Sequence, residues 1–233
     1  MSELKITWIG QGGFLLRDGE SEICIDPYLS DVVNRVAGRP RLVEPPVAPE
    51  ALTCDAVICT HNHLDHVDID AIPQMPLNGM TFYAPTDARE QLLACGVKHY
   101  TPFDEGDCFA LGTFRVTAVP AKHSCPAIGL LVRHGDHTLY ISGDTEYDER
   151  LETLRDAHVD VMFICINGKL GNMNVEEAIR LTERIKPHVG VPMHYGMFAS
   201  NTEDPQKYIS RIPHGFEMEY GREYTIEEVL NHV

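Results

Sequence analysis

The chain has 233 residues, 43% hydrophobic and 23% charged, a composition long and apolar enough to bury a core, which argues against a disordered or fibrous chain. Its 19 Lys and Arg face 35 Asp and Glu, a formal charge of -16 that repels phosphate polymers and anionic lipid and disfavours nucleic-acid and membrane partners. MSELKITWIG lacks the apolar stretch of a secretory signal, and the seven cysteines lie scattered without a CxxC pair, so one cytoplasmic domain over 1–233 with reduced thiols is expected.

Short strands are expected at 4–9, 14–17 and 22–26, separated by GQGG and by Asp18-Gly19. The prolines of RPRLVEPPVAPE, 39–50, deny donors to a ladder and predict an extended surface loop. A strand at 56–60 follows, then a helix at 86–95 that Gly96 stops. Strands at 108–111, 114–120, 128–133 and 138–142, joined by Gly-containing turns, suggest a second, antiparallel sheet. An apolar strand is expected at 161–166. Asn174, with Glu177 three residues on, caps a helix that ends before Pro187, and Asp204-Pro205 opens a short helix toward Ile212. Strands alternating with helices in this way fit an α/β layered fold.

The strand at 56–60 runs into THNHLDH, which places the densest chemistry of the chain at a strand end. Residues two apart in extended chain point the same way, so His61 and His63 can offer imidazole nitrogens to one cation. A turn after His63 lets Asp65 and His66 reach a second cation, as two-metal hydrolysis requires. Cys24, Cys59 and Cys165 fall in apolar strands and read as core.

His61-Asn62-His63-Leu64-Asp65-His66 resembles the His-x-His-x-Asp-His signature of the metallo-β-lactamase superfamily. The resemblance implies a four-layer αββα sandwich and adds His123 from PAKHS, Asp144 from LYISGDT and His194 from VPMHYG as ligands. One cation would take His61, His63 and His123, the other Asp65, His66 and His194, with Asp144 between them and Asp65 and Asp144 the carboxylates of the reaction. Asp144 stands where the zinc β-lactamases carry a cysteine, and His63 where the redox di-iron branch carries glutamate, so the resemblance favours hydrolysis other than of lactam antibiotics. A His and carboxylate set accepts manganese, zinc or iron. Among these, manganese is slightly favoured, as implied by the resemblance of further segments, given next, to one branch of the superfamily. Cys125, two residues past His123, is read as packing. The other histidines, His99, His134, His137, His158, His188, His214 and His232, read as structural or solvated, with His134 and His137 flanking a hairpin tip.

GQGGFLL, IDPYLS, GRPRLVEPPVAPEAL and INGKLGNMNVEEA further resemble the L-ascorbate-6-phosphate lactonase-like branch. That resemblance implies opening of an ester or lactone of a small, phosphorylated, sugar-derived acid, with self-association into a homo-oligomer; a phosphodiesterase or ribonuclease of the same fold is the alternative. An anionic small-molecule substrate needs cationic or donor groups beside the metals. Arg35, Arg39, Arg41 and Lys122 are the candidates for charge, because Arg grips oxyanions through paired hydrogen bonds. Asn167 at a strand end, Tyr195 beside His194 and Tyr28 after Asp26-Pro27 are the candidate donors.

Overall fold

Strand β1 (Lys5–Gly10) pairs antiparallel with β2 (Gly13–Arg17), and β2 with β3 (Glu22–Ile25), in a computed structural model that describes residues 3–232. Residues 1, 2 and 233 of the expected 1–233 domain lie outside the described residues. Three parallel strands extend this meander: β4 (Ala56–Ile58), β5 (Thr81–Ala84) and β6 (Tyr100–Pro102). The second sheet begins with β7 (Cys108–Leu111), β8 (Phe114–Pro120), β9 (Ile128–His134) and β10 (His137–Ile141), all antiparallel neighbours as expected. It then turns parallel, through β11 (Val161–Cys165) and β12 (Val189–Met193), because a helix carries the chain back between them. A late strand, β13 (Glu223–Thr225), returns to the free edge of β1 in the first sheet.

The sheets face each other through Ile6, Phe14, Leu16, Ile23, Ile25 and Ile58 of one and Phe114, Val116, Leu130, Val132, Leu139 and Phe163 of the other. The rings of Phe14 and Phe163 meet across this core, their centroids 4.6 Å apart. Strand alternation sends Met162 to the opposite face. There it meets Thr182 of α3 (Val175–Ile185), the long helix capped by Asn174, so this helix covers the outside of the second sheet. On the other outer face, Cys24, Val57 and Phe82 pack with Leu92 of α2 (Arg89–Ala94). Helix, sheet, sheet and helix give the four expected layers.

Elements of six residues or fewer account for most of what pattern alone leaves out. Helix α1 (Val32–Ala37) precedes the proline loop; it has no side-chain cap and three valines in six residues, so propensity gives little sign of it. The short helices α4 (Gln206–Ile209) and α5 (Ile226–Leu230) close the chain.

What matters for function is where strands end. The segment after β4 carries His61 to His66; the chain leaving β8, β10 and β12 carries His123, Asp144 and His194, so one end of the sandwich gathers side chains from both sheets. Ile128 N–H donates to Thr60 C=O at 3.0 Å, tying the sheets together there.

Candidate metal centre

His61 Nε2 lies 3.0 Å from His63 Nδ1, and His123 Nε2 lies 3.2 Å from the same atom, so three imidazole nitrogens converge on one point. Asp65, His66 and His194 form a second group, and His61, His66 and Asp144 a third; within each, the donor atoms lie within 4.8 Å of one another. Asp144 joins the groups: one oxygen stands 3.1 Å from His194 Nε2 and 3.5 Å from His66 Nε2, the other 3.9 Å from His123 Nε2. All seven residues singled out in the sequence therefore meet.

The opposite ring nitrogens are held by the protein. His66 Nδ1 meets Asp26 Oδ2 at 2.8 Å, and His123 Nδ1 donates to Gly171 C=O at 2.9 Å, leaving each Nε2 turned inward. Gly171 has φ +86, and a Cβ there would stand 2.9 Å from His123 Nδ1, so a side chain would displace the imidazole. Asp26 also accepts from Thr60 N–H and Oγ1, both at 2.7 Å, which fixes the start of the His61 to His66 turn.

These donors fit divalent cations. His66 Nε2 and Asp144 Oδ1 are buried and make no hydrogen bond, an arrangement that costs free energy unless a positive ligand meets them. Burial, and then their histidine neighbours, push His61 and His63 below the ordinary imidazole range, so both offer lone pairs. His66 and His194 move the other way. Burial opposes their charged forms, but Asp26, Asp144 and Asp65 outweigh it at His66, and Asp144 and Asp65 raise His194 to about 9. The surrounding carboxylates thus favour positive charge at both positions, a demand that a divalent cation would also meet. Backbone strain gathers here too: Gln11, Asp26 and His194 are non-glycine residues with φ of 50, 44 and 62.

The predicted substrate contacts need correction. A cavity of about 420 Å³ opens onto His63, Asp65, Asp144 and His194, and the cation in its wall is Arg39. Arg35 instead pairs with Asp70 at 2.7 Å on the surface. Arg41 lies over the Tyr28 ring and donates to the carbonyls of Ser30 and Val43, so it fastens the loop. Lys122 pairs with Glu146 at 2.8 Å and faces a separate cleft. Tyr28 is 1% exposed and packs on Phe198. Tyr195 stacks on Trp8 in a neighbouring cleft, where burial, then Glu217, raises its phenol. Asn167 donates to Asn201 Oδ1 at 2.8 Å, and it is Asn201 that lines the metal cavity.

Sequence reasoning also missed residues around the donors. Gln11, fully buried, donates to Asp65 Oδ2 at 2.8 Å and stands 3.2 Å from His194 Nε2; GQGG read as a turn and as part of a branch-like segment, not as a support for the donors. Cys125 Sγ lies 3.7 Å from His63 Nε2 and joins the His61, His63 and His123 group, so it is no mere packing residue. Its spacing from His123 was the available signal. His134 is structural but buried, 3.1 Å from Asp18.

Residues 21–195 match the family described as Beta-lactamase superfamily domain. A UPF0173 metal-dependent hydrolase from Archaeoglobus fulgidus is 30% identical over 220 residues, 88% of this chain and 89% of the relative. The chain thus belongs to the metallo-β-lactamase superfamily, in its UPF0173 group. Among solved structures, one described as a possible metal-dependent hydrolase from Veillonella parvula has TM-score 0.82 at 19% identity, covering 97% of this chain and 100% of that one. An isothiocyanate hydrolase from Delia radicum gut bacteria has TM-score 0.78 at 21% identity, covering 94% and 98%. Both share the fold.

Proposed function

We propose that the chain is a two-metal hydrolase that opens carboxylic esters or lactones of small anionic acids. The observation that carries this reading is the pair of three-residue donor groups joined by Asp144. On this reading His61, His63 and His123, with Cys125 beside them, would hold one ion, and Asp65, His66 and His194 the other. Cations bound there would supply the Lewis acidity that ionises water near neutral pH and polarises a carbonyl. Asp144, buried and held well ionised against its burial by His194 and His66, keeps the two groups in register. Of the two donor carboxylates that line the cavity, Asp65 is the more exposed, at 18%, and Gln11 orients it; ionised, it is placed to take the proton that the attacking water gives up and to hand it to the leaving alkoxide. His66 is held by Asp26, which fixes its tautomer.

The names of the UPF0173 relatives support metal-dependent hydrolysis, and the isothiocyanate hydrolase indicates that this fold serves electrophilic carbons other than phosphorus centres. The finer candidate, a sugar-derived lactone such as L-ascorbate 6-phosphate, rests on the loop segments GQGGFLL and IDPYLS. Among the acceptable metals, Cys125 beside the three-histidine group favours zinc over manganese, because thiolate is a soft donor.

The test is titration of chelator-treated protein with zinc or manganese, followed by a lactone and ester panel. Two ions should bind per chain, turnover should follow metal content, and His61→Ala should lose both. Failure to bind ions, or inertness of the metal-filled protein across the panel, would refute the reading.

A further inference from the structure

Outside the donors, the cavity over the cluster is lined by two kinds of side chain: apolar Val33, Leu64, Leu170 and Phe198, and polar Arg39, Ser124 and Asn201. Leu170 is 58% exposed and has φ +57, a conformation that costs a branched side chain free energy. The Gly168 to Gly171 turn therefore holds an apolar side chain out at the mouth of the cavity, where water would be the worse neighbour. A sugar body would set hydroxyl groups against the four apolar side chains, with only Arg39, Ser124 and Asn201 to answer them outside the donors, a loss that apolar groups do not suffer.

Arg39 is the complementary feature. It is exposed, sits just past the left-handed Gly38 that ends α1, and makes no ion pair among the described residues. The other cations singled out in the sequence are occupied, Arg35 by Asp70, Arg41 by backbone carbonyls and Lys122 by Glu146, and Lys169, next to Leu170, donates to Ser200 C=O. In a chain of formal charge -16, a guanidinium left free beside a cavity is the group an anion would meet.

We propose that the substrate is amphiphilic, an apolar acyl or aryl body set against Val33, Leu64, Leu170 and Phe198 and bearing an oxyanion, carboxylate or phosphate, that Arg39 holds. This rests on the hydrolase reading and narrows its substrate to apolar-bodied anions rather than sugar acids.

Binding separates it from turnover. The probes are phenylbutyrate, gluconate and phenylbutanol, measured by calorimetry on zinc-loaded protein and again on metal-free protein. Phenylbutyrate should bind more tightly than either of the others in both forms. Arg39→Ala should weaken phenylbutyrate by about tenfold to a hundredfold, the loss of a charge-assisted pair, and leave phenylbutanol unchanged. Leu170→Asn, which suits a left-handed backbone, should weaken phenylbutyrate and phenylbutanol but not gluconate. Arg35→Ala should change nothing.

Gluconate binding as tightly as phenylbutyrate would overturn the proposal, as would an Arg39→Ala protein that holds phenylbutyrate unchanged. Monophenyl glutarate, an aryl ester that keeps a free carboxylate, left intact by zinc-loaded protein, with the binding pattern as described, would refute the hydrolase reading while supporting the recognition of amphiphilic anions. Sugar lactones opened in preference to aryl ones would leave the hydrolase reading standing and overturn this one.

Discussion

Asp26 lies inside the donor cluster without being one of its donors. It touches His66 Nδ1 at 2.8 Å and accepts two hydrogen bonds from Thr60, so its charge sets the tautomer and basicity of a ligand, and its shape sets the turn that carries three more. Asp26→Asn keeps the shape and removes the charge. Zinc affinity, measured by competition with a chelating dye, should fall about tenfold to a hundredfold, with the fold intact by circular dichroism. The seven donors were legible because His and Asp at strand ends are dense, distinctive chemistry. Their supports were not. Gln11 and Asp26 become supports only when β1, β2 and β3 come into register, and Arg39 differs from Arg35 and Arg41 only by the direction in which a loop turns.

Helix α3 shows what single elements disclose. Asn174 accepts from Glu177 N–H and Glu177 answers to Asn174 N–H, both at 3.0 Å, the reciprocal cap that the two residue types announce at that spacing. Asn174→Ala should cost about 1 kcal/mol. In a chain of this length that lowers the melting midpoint by about 2–4 °C, as calorimetry of the metal-free protein would record. Its neighbour in the sequence, Gly171, is bound to the centre through His123, so damage to this cap also loosens a ligand's support. The strands expected from pattern agree with the structure to within two residues, but β5 and the buried β12 were not anticipated. Nor were the six-residue α1 and the three-residue β6 and β13, since so short a stretch holds less than two turns of helical period or one repeat of strand alternation.

Across the molecule, the end of the sandwich away from the metal centre has a fastening of its own. Asp18, in the turn between β2 and β3, accepts from Thr113 Oγ1 and meets His134 Nε2 at 3.1 Å, linking the first sheet to the tips of β8 and β9. Burial alone would raise this carboxyl, but Thr113, the N–H groups of Glu20 and Ser21, and His134 hold it well below its ordinary value. A carboxyl depressed by folding stabilises the folded state above its unfolded pKa of about 3.9 and loses that contribution as pH falls below it. Urea midpoints of the metal-free protein should therefore drop between about pH 5 and pH 2, and Asp18→Asn should flatten that drop while lowering stability at pH 7 by about 1–3 kcal/mol. The layered architecture could be anticipated from the order of strands and helices, whereas this long-range tie could not, because 95 residues separate Asp18 from Thr113.

His61, His63, Asp65 and His66 hang from one sheet, His123, Asp144 and His194 from the other. Ions gripped by both would act as a clasp on the gap, and parting the layers at that end would mean breaking coordination bonds first. On the proposed reading, the lifetime of the closed molecule against a protease would then follow metal supply, and starvation for the ion would end turnover and expose the chain to degradation in the same event.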